Sequence, residues 1–237
     1  MLSDAVILAA GKGTRIRATD DALPKPLQQV LGVSLIERTL SSLRDGGIER
    51  AHVIVGFMAD RIRGALVGRD LGIEVRFIDN PEFERSNGVS VLAARGHLEG
   101  GFVLSMSDHV YDTSIARAAA NADLAQADLW LCVDRRIADV YDLPDATKVR
   151  TDDDRIVDIG KEIPTYDAID CGVFAVGPAL LDALADVRSQ RGDCSLSDGV
   201  RVLATRGRAR VIDIGEAFWQ DVDTPGALDR AERVLVR

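Results

Sequence analysis

Two stretches near the start of the chain combine residue types that bind anions. The first, a loop after an apolar run, contains two glycines, one hydroxyl and three cations: Gly11, Gly13, Thr14, Lys12, Arg15 and Arg17. Glycine lets backbone N–H groups come close to a ligand, and N–H groups that converge with nearby cations form an anion site. In the second stretch, Lys25 lies between Pro24 and Pro26, whose rings stiffen the backbone that carries its ammonium group. Together the two stretches predict a binding site for a phosphate-rich ligand.

The loop matches neither of two well-known phosphate-binding motifs. The Walker A pattern G-x-x-x-x-G-K-[ST] is absent, and the third glycine of the Rossmann dinucleotide fingerprint is missing. For the loop taken alone, a basic surface loop without a ligand therefore stays an equal alternative.

Two aspartates are candidates for holding a metal ion. Asp108 follows an apolar run that we interpret as a buried strand, and Asp223 lies just before the predicted final helix. Mg²⁺ typically uses one or two carboxylates plus substrate phosphates, so the two aspartates could share one ion if they meet. For Asp223 the alternative is a helix N-cap. We interpret Asp221 as a solvated or supporting residue and leave His109 out of the catalytic set, since phosphoryl transfer to a phosphate nucleophile needs little base.

Four polar residues are candidates for the rest of the site. Lys161 could meet a second phosphate or be a surface lysine at the end of a hairpin. Asp170 is a charge within an apolar strand, and because a buried carboxylate needs donors, its partner is either a polyol hydroxyl or a structural hydrogen bond. Asn87 and Ser90 offer groups suited to a base or ribose edge, but they could equally cap a helix.

An alternation of strands and helices positions these residues. Apolar runs of strand length begin at Val6 and recur at 51–55, 73–78, 102–106 and 128–134, with helical periodicity at 34–44, 58–67, 89–98 and 114–124. Such alternation predicts β-α-β units and a parallel sheet covered by helices on both faces. Right-handed crossovers place the loops after the strands at one edge, where ligands bind. The glycine loop, residues 80–88 and Asp108 all fall at that edge.

The second half of the chain has a different pattern. Its predicted elements are a hairpin at 146–160 with an acidic turn, strands at 168–176 and 208–214, and helices at 179–187, 196–205 and from Pro225. We interpret this half as an acceptor-side lobe of the same domain. The expectation is a single domain, 1–237, whose nucleotide-binding half covers about 1–140 and whose acceptor-binding half covers about 141–237.

Composition limits the class of protein. The chain has 237 residues, of which 46% are hydrophobic, enough for one sizeable core, and a net charge of -9 argues against a nucleic-acid partner. Its three cysteines are far apart and form no C-x-x-C motif, which predicts reduced thiols and a cytoplasmic setting. Since no apolar stretch approaches about 18 residues, no membrane insertion is expected.

The combined pattern L-A-A-G-x-G-T-R and P-K-P-L resembles the signature of the sugar-phosphate nucleotidyltransferases. The resemblance implies an α/β protein with a Rossmann-like nucleotidyltransferase fold of the GT-A type. In this three-layer α/β/α arrangement a mixed, mostly parallel sheet carries a small acceptor-side β lobe. Residues 106–111, 166–174 and 219–225 look like the cytidylyltransferase branch, especially its inositol-1-phosphate members. Gln28 and Gln29, after P-K-P-L, depart from many relatives, which have less polar residues there.

The resemblance also implies a role for each candidate residue. The nucleotide site would comprise Leu8, Ala9, Ala10, Gly11, Gly13, Thr14, Arg15, Lys25, Asn87 and Ser90. Lys25, Arg15 and Asp108 would be catalytic, and Asp108 and Asp223 would bind Mg²⁺. Lys161 and Asp170 would bind the acceptor.

The implied reaction is the transfer of CMP from CTP to a phosphorylated polyol, with inositol 1-phosphate as the expected acceptor. Its products would be CDP-inositol and pyrophosphate. Phosphocholine, a phosphonate or a hexose 1-phosphate stay open as acceptors, as do other nucleoside triphosphates and a regulatory module without turnover. Choline is disfavoured, because aromatic residues make up only 5% of the chain and do not cluster near the acceptor lobe.

The expected partners are therefore CTP and a small phosphorylated acceptor. The sequence does not decide the oligomeric state, and a homodimer stays open. In some relatives this activity is fused to a membrane-embedded synthase, so here the product is expected to feed a separate membrane synthase.

Overall fold

A nine-stranded mixed sheet forms the centre of the computed structural model, which describes residues 1–16 and 23–236. The strands are β1 (Asp4–Ala9), β2 (Gln29–Val30), β3 (Val33–Ser34), β4 (Arg50–Val55), β5 (Glu74–Asp79), β6 (Phe102–Met106), β7 (His109–Tyr111), β8 (Leu129–Asp134), β9 (Lys148–Asp152), β10 (Arg155–Gly160), β11 (Ala168–Val176), β12 (Ala209–Asp213) and β13 (Trp219–Asp221). The helices are α1 (Leu35–Asp45), α2 (Ala59–Leu66), α3 (Asn87–Leu92), α4 (Thr113–Ala120), α5 (Pro178–Arg191), α6 (Leu196–Thr205) and α7 (Pro225–Leu235).

The strand order in the main sheet is β5-β4-β1-β6-β11-β8-β12-β10-β9. The neighbours β5, β4, β1 and β6 run parallel, as the alternating pattern of the first half predicts. The long strand β11 then runs antiparallel to both β6 and β8. The predicted hairpin of β9 and β10 joins the far edge through β12, and β9 also pairs with β11, so the acceptor-side lobe continues the main sheet.

Helices cover both faces of this sheet. Val6 and Ile7, neighbours on β1, point to opposite faces and belong to different apolar clusters. The cluster around Val6 includes residues of α3, α5 and α6, and the cluster around Ile7 includes residues of α1, α2 and α4. The predicted three-layer α/β/α arrangement is therefore confirmed.

Local sequence explains where several helices begin and end. Ser34 starts α1 with a capping box, in which its hydroxyl accepts from the Glu37 N–H and the Glu37 carboxylate accepts from the Ser34 N–H. The helix predicted at 89–98 ends earlier, at Leu92, and turns lead to Gly96, whose φ of +83° breaks the helical path. The helix predicted at 179–187 is longer and ends before Gly192, which has a φ of +77°.

Four short strands were not predicted: β2 and β3, which pair with each other, and β7 and β13. β7 and β13 pair antiparallel outside the main sheet, with His109 opposite Asp221 and Tyr111 opposite Trp219. This pairing brings the end of β6 to the segment that precedes α7. Among the helices described, none has the length and apolar character needed to cross a bilayer.

Candidate active site

The glycine loop follows β1 at the carboxyl edge of the parallel strands, where the sequence predicts it. Gly13 has a φ of +57°, and a Cβ atom there would lie 2.5 Å from the Cβ of Lys25. Both the backbone conformation and the close approach of Lys25 therefore require glycine. Lys12 Nζ forms an ion pair with the exposed Glu84 at 2.5 Å. Arg17 lies outside the described residues.

A first cavity opens beside the loop. Its lining includes every residue predicted for the nucleotide site: Leu8, Ala9, Ala10, Gly11, Gly13, Thr14, Arg15, Lys25, Asn87 and Ser90. The sequence analysis missed Phe83 and Arg85, which also line this cavity, because the loop that carries them has no periodic signal. The nucleotide-binding roles themselves stay predictions.

Two of these residues, Ser90 and Asn87, already form side-chain hydrogen bonds within the protein. The Asn80 side-chain amide donates to Ser90 Oγ at 2.9 Å, which fixes the hydroxyl oxygen at the cavity wall. Asn87 Oδ1 accepts from the Leu196 N–H at 2.8 Å, and this bond ties α3 to the start of α6. The amide nitrogen of Asn87 therefore remains the group with which it can donate to a ligand.

Lys25 lies within a short 3-10 turn, Lys25–Leu27, and its ammonium is surrounded by carboxylates. Its side chain is only 8% exposed, and Nζ lies 2.5 Å from Asp108 Oδ2, in contact with Asp223 and 3.5 Å from Asp221 Oδ1. The structure thus brings together Lys25 and the two aspartates that the sequence assigns to Mg²⁺. Burial would raise the pKa of Asp108, but the positive charges of Lys25 and His109 outweigh it and lower that pKa.

Asp223 is free of the capping role that the sequence left open. Thr224 is the N-cap of α7, because its hydroxyl accepts from the Ala227 N–H at 3.2 Å. The Asp223 carboxylate instead faces Arg15 and Lys25, with which it forms ion pairs.

Asp221 and His109 are site residues that the sequence analysis set aside. The pairing of β7 with β13 places His109 Nε2 at 3.8 Å from both Asp108 Oδ1 and Asp221 Oδ1. Asp221 Oδ1 is buried and has no hydrogen-bond partner although the side chain as a whole is 36% exposed, so the choice between a solvated and a supporting role for Asp221 stays open. Burial, together with the charge of Asp108, raises the pKa of Asp221.

A second cavity lies on the acceptor side and is lined by both predicted acceptor residues, Lys161 and Asp170. Lys161 Nζ lies 2.7 Å from Asp145 Oδ1, and the same carboxylate pairs with Arg15. Asp170 Oδ1 accepts from the Gly172 N–H at 2.7 Å. Burial raises the pKa of Asp170 to about 6, so this carboxyl holds its proton in mildly acidic solution.

The two cavities share a wall. Five residues line both of them: Arg15, Asn87, Met106, Asp108 and Asp223. Two ligands, one bound in each cavity, would therefore meet beside the carboxylates of Asp108 and Asp223.

The residues at this wall fit a divalent cation. Ligand atoms of Asp108, His109 and Asp221 all lie within 4.8 Å of one another. The buried Asp221 Oδ1, which lacks a hydrogen bond, would gain a partner from a bound ion. The carboxylates of Asp108 and Asp223, which both contact Lys25 Nζ, are oxygen ligands of the kind that Mg²⁺ prefers.

Comparison with known proteins places this site in a family. Residues 5–203 match the model of the MobA-like NTP transferase domain. The chain is 37% identical over 235 residues to the bifunctional IPC transferase and DIPP synthase of Rubrobacter xylanophilus, covering 98% of this chain and 52% of that protein. It is 30% identical over 238 residues to the protein of the same name from Aquifex aeolicus, covering 100% of this chain and 53% of that protein. The chain thus spans about half the length of these curated relatives.

A solved structure extends the likeness to three dimensions. The inositol-1-phosphate CTP transferase from T. maritima superimposes with a TM-score of 0.87 at 29% sequence identity, covering 99% of this chain and 95% of that chain. Since the family model spans residues 5–203, most of the sequence, this chain belongs to the MobA-like NTP transferase family.

Proposed function

We propose that this chain is a Mg²⁺-dependent cytidylyltransferase that transfers CMP from CTP to inositol 1-phosphate, giving CDP-inositol and pyrophosphate. The observation that carries the proposal is the pair of cavities that share Asp108 and Asp223 in their common wall. A reaction between two anionic substrates needs such an arrangement, with cations and carboxylates at the meeting point. The choice of substrates is supported by the likeness to the T. maritima inositol-1-phosphate CTP transferase over 99% of the chain.

The proposed reaction is a direct displacement at the α-phosphorus of CTP. An oxygen of the acceptor phosphate forms the new bond to that phosphorus, and the bond to the bridging oxygen of the β-phosphate breaks. Pyrophosphate leaves with the electron pair. Because the nucleophile is already an ionised phosphate, the protein contributes positioning and charge rather than a general base.

Lys25 and Arg15 supply the positive charge on the nucleotide side. The ammonium of Lys25 is fixed by its turn and by Asp108 and Asp223, so it needs little reorganisation to face charge that develops on the α-phosphate. Arg15 pairs with Asp145 and Asp223, and the triphosphate would replace these carboxylates as its partner.

Asp108 and Asp223 would hold Mg²⁺ at the wall that the cavities share. When bound there, the ion would neutralise charge on the α-phosphate and on the leaving pyrophosphate.

Lys161 and Asp170 are the proposed contacts to the acceptor. Lys161 would exchange its bond with Asp145 for one with the acceptor phosphate. Asp170 has one carboxylate oxygen engaged by the Gly172 N–H, which leaves its other oxygen for a polyol hydroxyl.

We also propose that the protein works in the cytoplasm. Cys132, Cys171 and Cys194 are free thiols and buried, which supports the reducing conditions of the cytoplasm. A homodimer, and a membrane synthase that uses the product, stay predictions.

Pyrophosphate release with a panel of substrates tests the proposal. CTP with inositol 1-phosphate should turn over fastest, ahead of ATP, GTP and UTP and ahead of phosphocholine, a phosphonate and glucose 1-phosphate. Asp108→Ala should lower turnover by at least about a hundredfold while the fold is retained. Near-normal turnover of Asp108→Ala would refute the role assigned to Asp108. A faster reaction with another nucleotide or another acceptor would refute the assigned substrates.

A further inference from the structure

The two carboxylate oxygens of Asp108 face different neighbours. Oδ2 lies 2.5 Å from Lys25 Nζ, on the side where Asp223 also contacts Lys25. Oδ1 lies 3.8 Å from His109 Nε2. Asp108 therefore borders two groups of residues, and only the first belongs to the Mg²⁺ site expected from the sequence.

The ring of His109 is held in one orientation. Its Nδ1–H donates to the carbonyl oxygen of Cys171 at 2.8 Å, which leaves Nε2 as the nitrogen that faces Asp108 and Asp221. Metal-binding histidines commonly donate their other ring N–H to a backbone carbonyl in this way, because the bond fixes both tautomer and direction.

Packing around the ring reinforces that orientation. The ring of Trp219 stacks on His109 with centroids 5.8 Å apart and an interplanar angle of 29°. Trp219 is in turn fixed by its Nε1–H, which donates to Asp134 Oδ2 at 2.9 Å. Gly172 leaves room for the ring, since a Cβ there would lie 2.4 Å from His109 Nδ1.

Asp221 completes the group with a carboxylate oxygen that lacks a hydrogen bond. Its Oδ1 is buried, accepts no hydrogen bond, and lies 3.8 Å from His109 Nε2 and 3.5 Å from Lys25 Nζ. A buried carboxylate oxygen without a hydrogen bond is costly, and a bound cation would remove that cost. The ligand atoms of Asp108, His109 and Asp221 all lie within 4.8 Å of one another.

We propose that Asp108, His109 Nε2 and Asp221 form a mixed nitrogen–oxygen site that prefers a divalent first-row transition metal, such as Co²⁺ or Zn²⁺, to Mg²⁺. Imidazole nitrogen is a good ligand for such ions, whereas Mg²⁺ prefers oxygen alone. The site is separate from the Mg²⁺ site proposed at Asp108 and Asp223, although Asp108 would contribute to both. It does not depend on which nucleotide or acceptor the enzyme uses, and its test needs neither.

Co²⁺ binding to the whole chain tests this site without any substrate. Co²⁺ is titrated in the presence of excess Mg²⁺, and its visible absorption reports both binding and nitrogen ligation. The wild-type chain should bind one Co²⁺ despite the Mg²⁺. His109→Gln and Asp221→Asn should each weaken Co²⁺ binding by at least about tenfold. His97→Gln is the matched control, because His97 is exposed and lines neither cavity, and the variant should bind Co²⁺ as the wild type does.

Equal Co²⁺ affinity in wild type and His109→Gln would overturn the proposal, as would complete displacement of Co²⁺ by the excess Mg²⁺. If His109→Gln does not fold, NMR of the ¹⁵N-histidine-labelled wild-type chain gives the answer instead. Added Zn²⁺ should then move the Nε2 resonance of His109 and leave those of His52 and His97 in place, and an unmoved His109 resonance would also overturn the proposal. Loss of this site with Mg²⁺-supported CMP transfer intact would leave the proposed function standing.

Discussion

Lys25 lies among more negative charge than it can neutralise. Its buried ammonium contacts Asp108 and Asp223, and Asp221 Oδ1 lies 3.5 Å away. Even when Arg15, which also pairs with Asp223, is counted, two cations among three carboxylates leave a local excess of negative charge, which would repel the phosphates of a substrate. A bound divalent cation would reverse this balance, so we expect metal and nucleotide to bind together.

Removing Lys25 should affect both turnover and stability. Lys25→Met is expected to lower the rate of CMP transfer by at least about a hundredfold, since a fixed charge at the α-phosphate is lost. It should also lower the free energy of unfolding by roughly 1–3 kcal/mol, because the partly buried carboxylates lose their counter-charge. Denaturant unfolding with and without Mg²⁺ measures the second effect, and Mg²⁺ should restore part of the loss.

Lys12→Met is the matched control for Lys25→Met. Lys12 and its partner Glu84 are both exposed, with side chains 46% and 69% accessible, so the change in unfolding free energy should stay within about 1 kcal/mol. If Lys25→Met matched Lys12→Met in both stability and turnover, Lys25 would contribute no more to the reaction or to folding than an exposed lysine does.

Asp170 gives a prediction about pH. Burial raises its pKa from 3.8 in the unfolded chain to about 6 in the folded chain. The folded state therefore binds more protons than the unfolded state between these values, so the contribution of Asp170 to stability is full below pH 4 and is lost as the pH rises through 6. Asp170→Asn keeps the acceptor for the Gly172 N–H and removes this dependence.

The measurement is the difference in unfolding free energy between Asp170→Asn and wild type as a function of pH. The difference should move in favour of the variant between about pH 4 and 6.5, by roughly 3 kcal/mol at most, and then level off. Values below pH 4 provide the baseline. A difference that stays flat across this range would mean that Asp170 ionises as freely as an exposed aspartate.

At the scale of elements, the small ladder of β7 and β13 assembles the reaction centre. It sets His109 opposite Asp221 and thereby joins the end of β6 to the start of α7. Asp112 strengthens this link, because its carboxylate accepts from the Phe218 N–H at 2.8 Å. Side chains from distant parts of the chain meet because of a ladder only three residues long.

Gly172 tests how strongly the position of His109 depends on this packing. Gly172→Ala would force a residue with a Cβ into a φ of +75° and place that Cβ 2.4 Å from His109 Nδ1. The ring must then move, and because His109 directly follows Asp108 in the chain, the Asp108 carboxylate would shift with it. Since small displacements of site residues are costly, CMP transfer should fall at least about tenfold. Steady-state kinetics and the Co²⁺ titration both report the change.

Gly192→Ala separates backbone strain from displacement of the ring. Gly192 has a similar φ of +77° but nothing lies within 4 Å of its Cβ position, so this variant should lose about 1 kcal/mol of stability and keep its activity. Full activity in Gly172→Ala would indicate that the orientation of His109 is irrelevant to the reaction.

The sequence predicted elements well where the signal was long or chemically distinctive. β1 and its glycine loop, and the parallel order that follows from β-α-β units, could both be predicted from residue type and spacing. β7 and β13 could not, because three residues are too few for an alternating pattern to stand out. Asp221 and His109 were set aside on chemical grounds, and without the pairing of β7 with β13 nothing in the sequence placed Asp221 near Asp108.

At the scale of the whole molecule, the two functional halves are interleaved in one sheet. β8, from the first half, pairs with β11 and β12, which both belong to the second half. β6 likewise pairs with β11. We therefore propose that residues 1–237 fold as one cooperative domain and that the division near residue 140 is functional only.

A fragment of residues 1–140 should not fold by itself. Without β11 and β12, β8 loses both of its neighbours and β6 exposes an edge, so apolar side chains of the central strands would face water. Circular dichroism during urea titration should show no cooperative transition for the fragment and a single one for the full chain. A cooperative transition of the fragment would instead favour two separable domains.

The central claim is that Asp108, Lys25 and Asp223 mark the meeting point of CTP and inositol 1-phosphate. The most direct test is ³¹P NMR of the chain mixed with both substrates and Mg²⁺. We predict that the diphosphate signals of CDP-inositol and the signal of pyrophosphate grow in equal amounts, and that neither appears with Asp108→Ala. If wild-type protein consumed no CTP when inositol 1-phosphate was added, or released pyrophosphate at the same rate without it, the account would be contradicted.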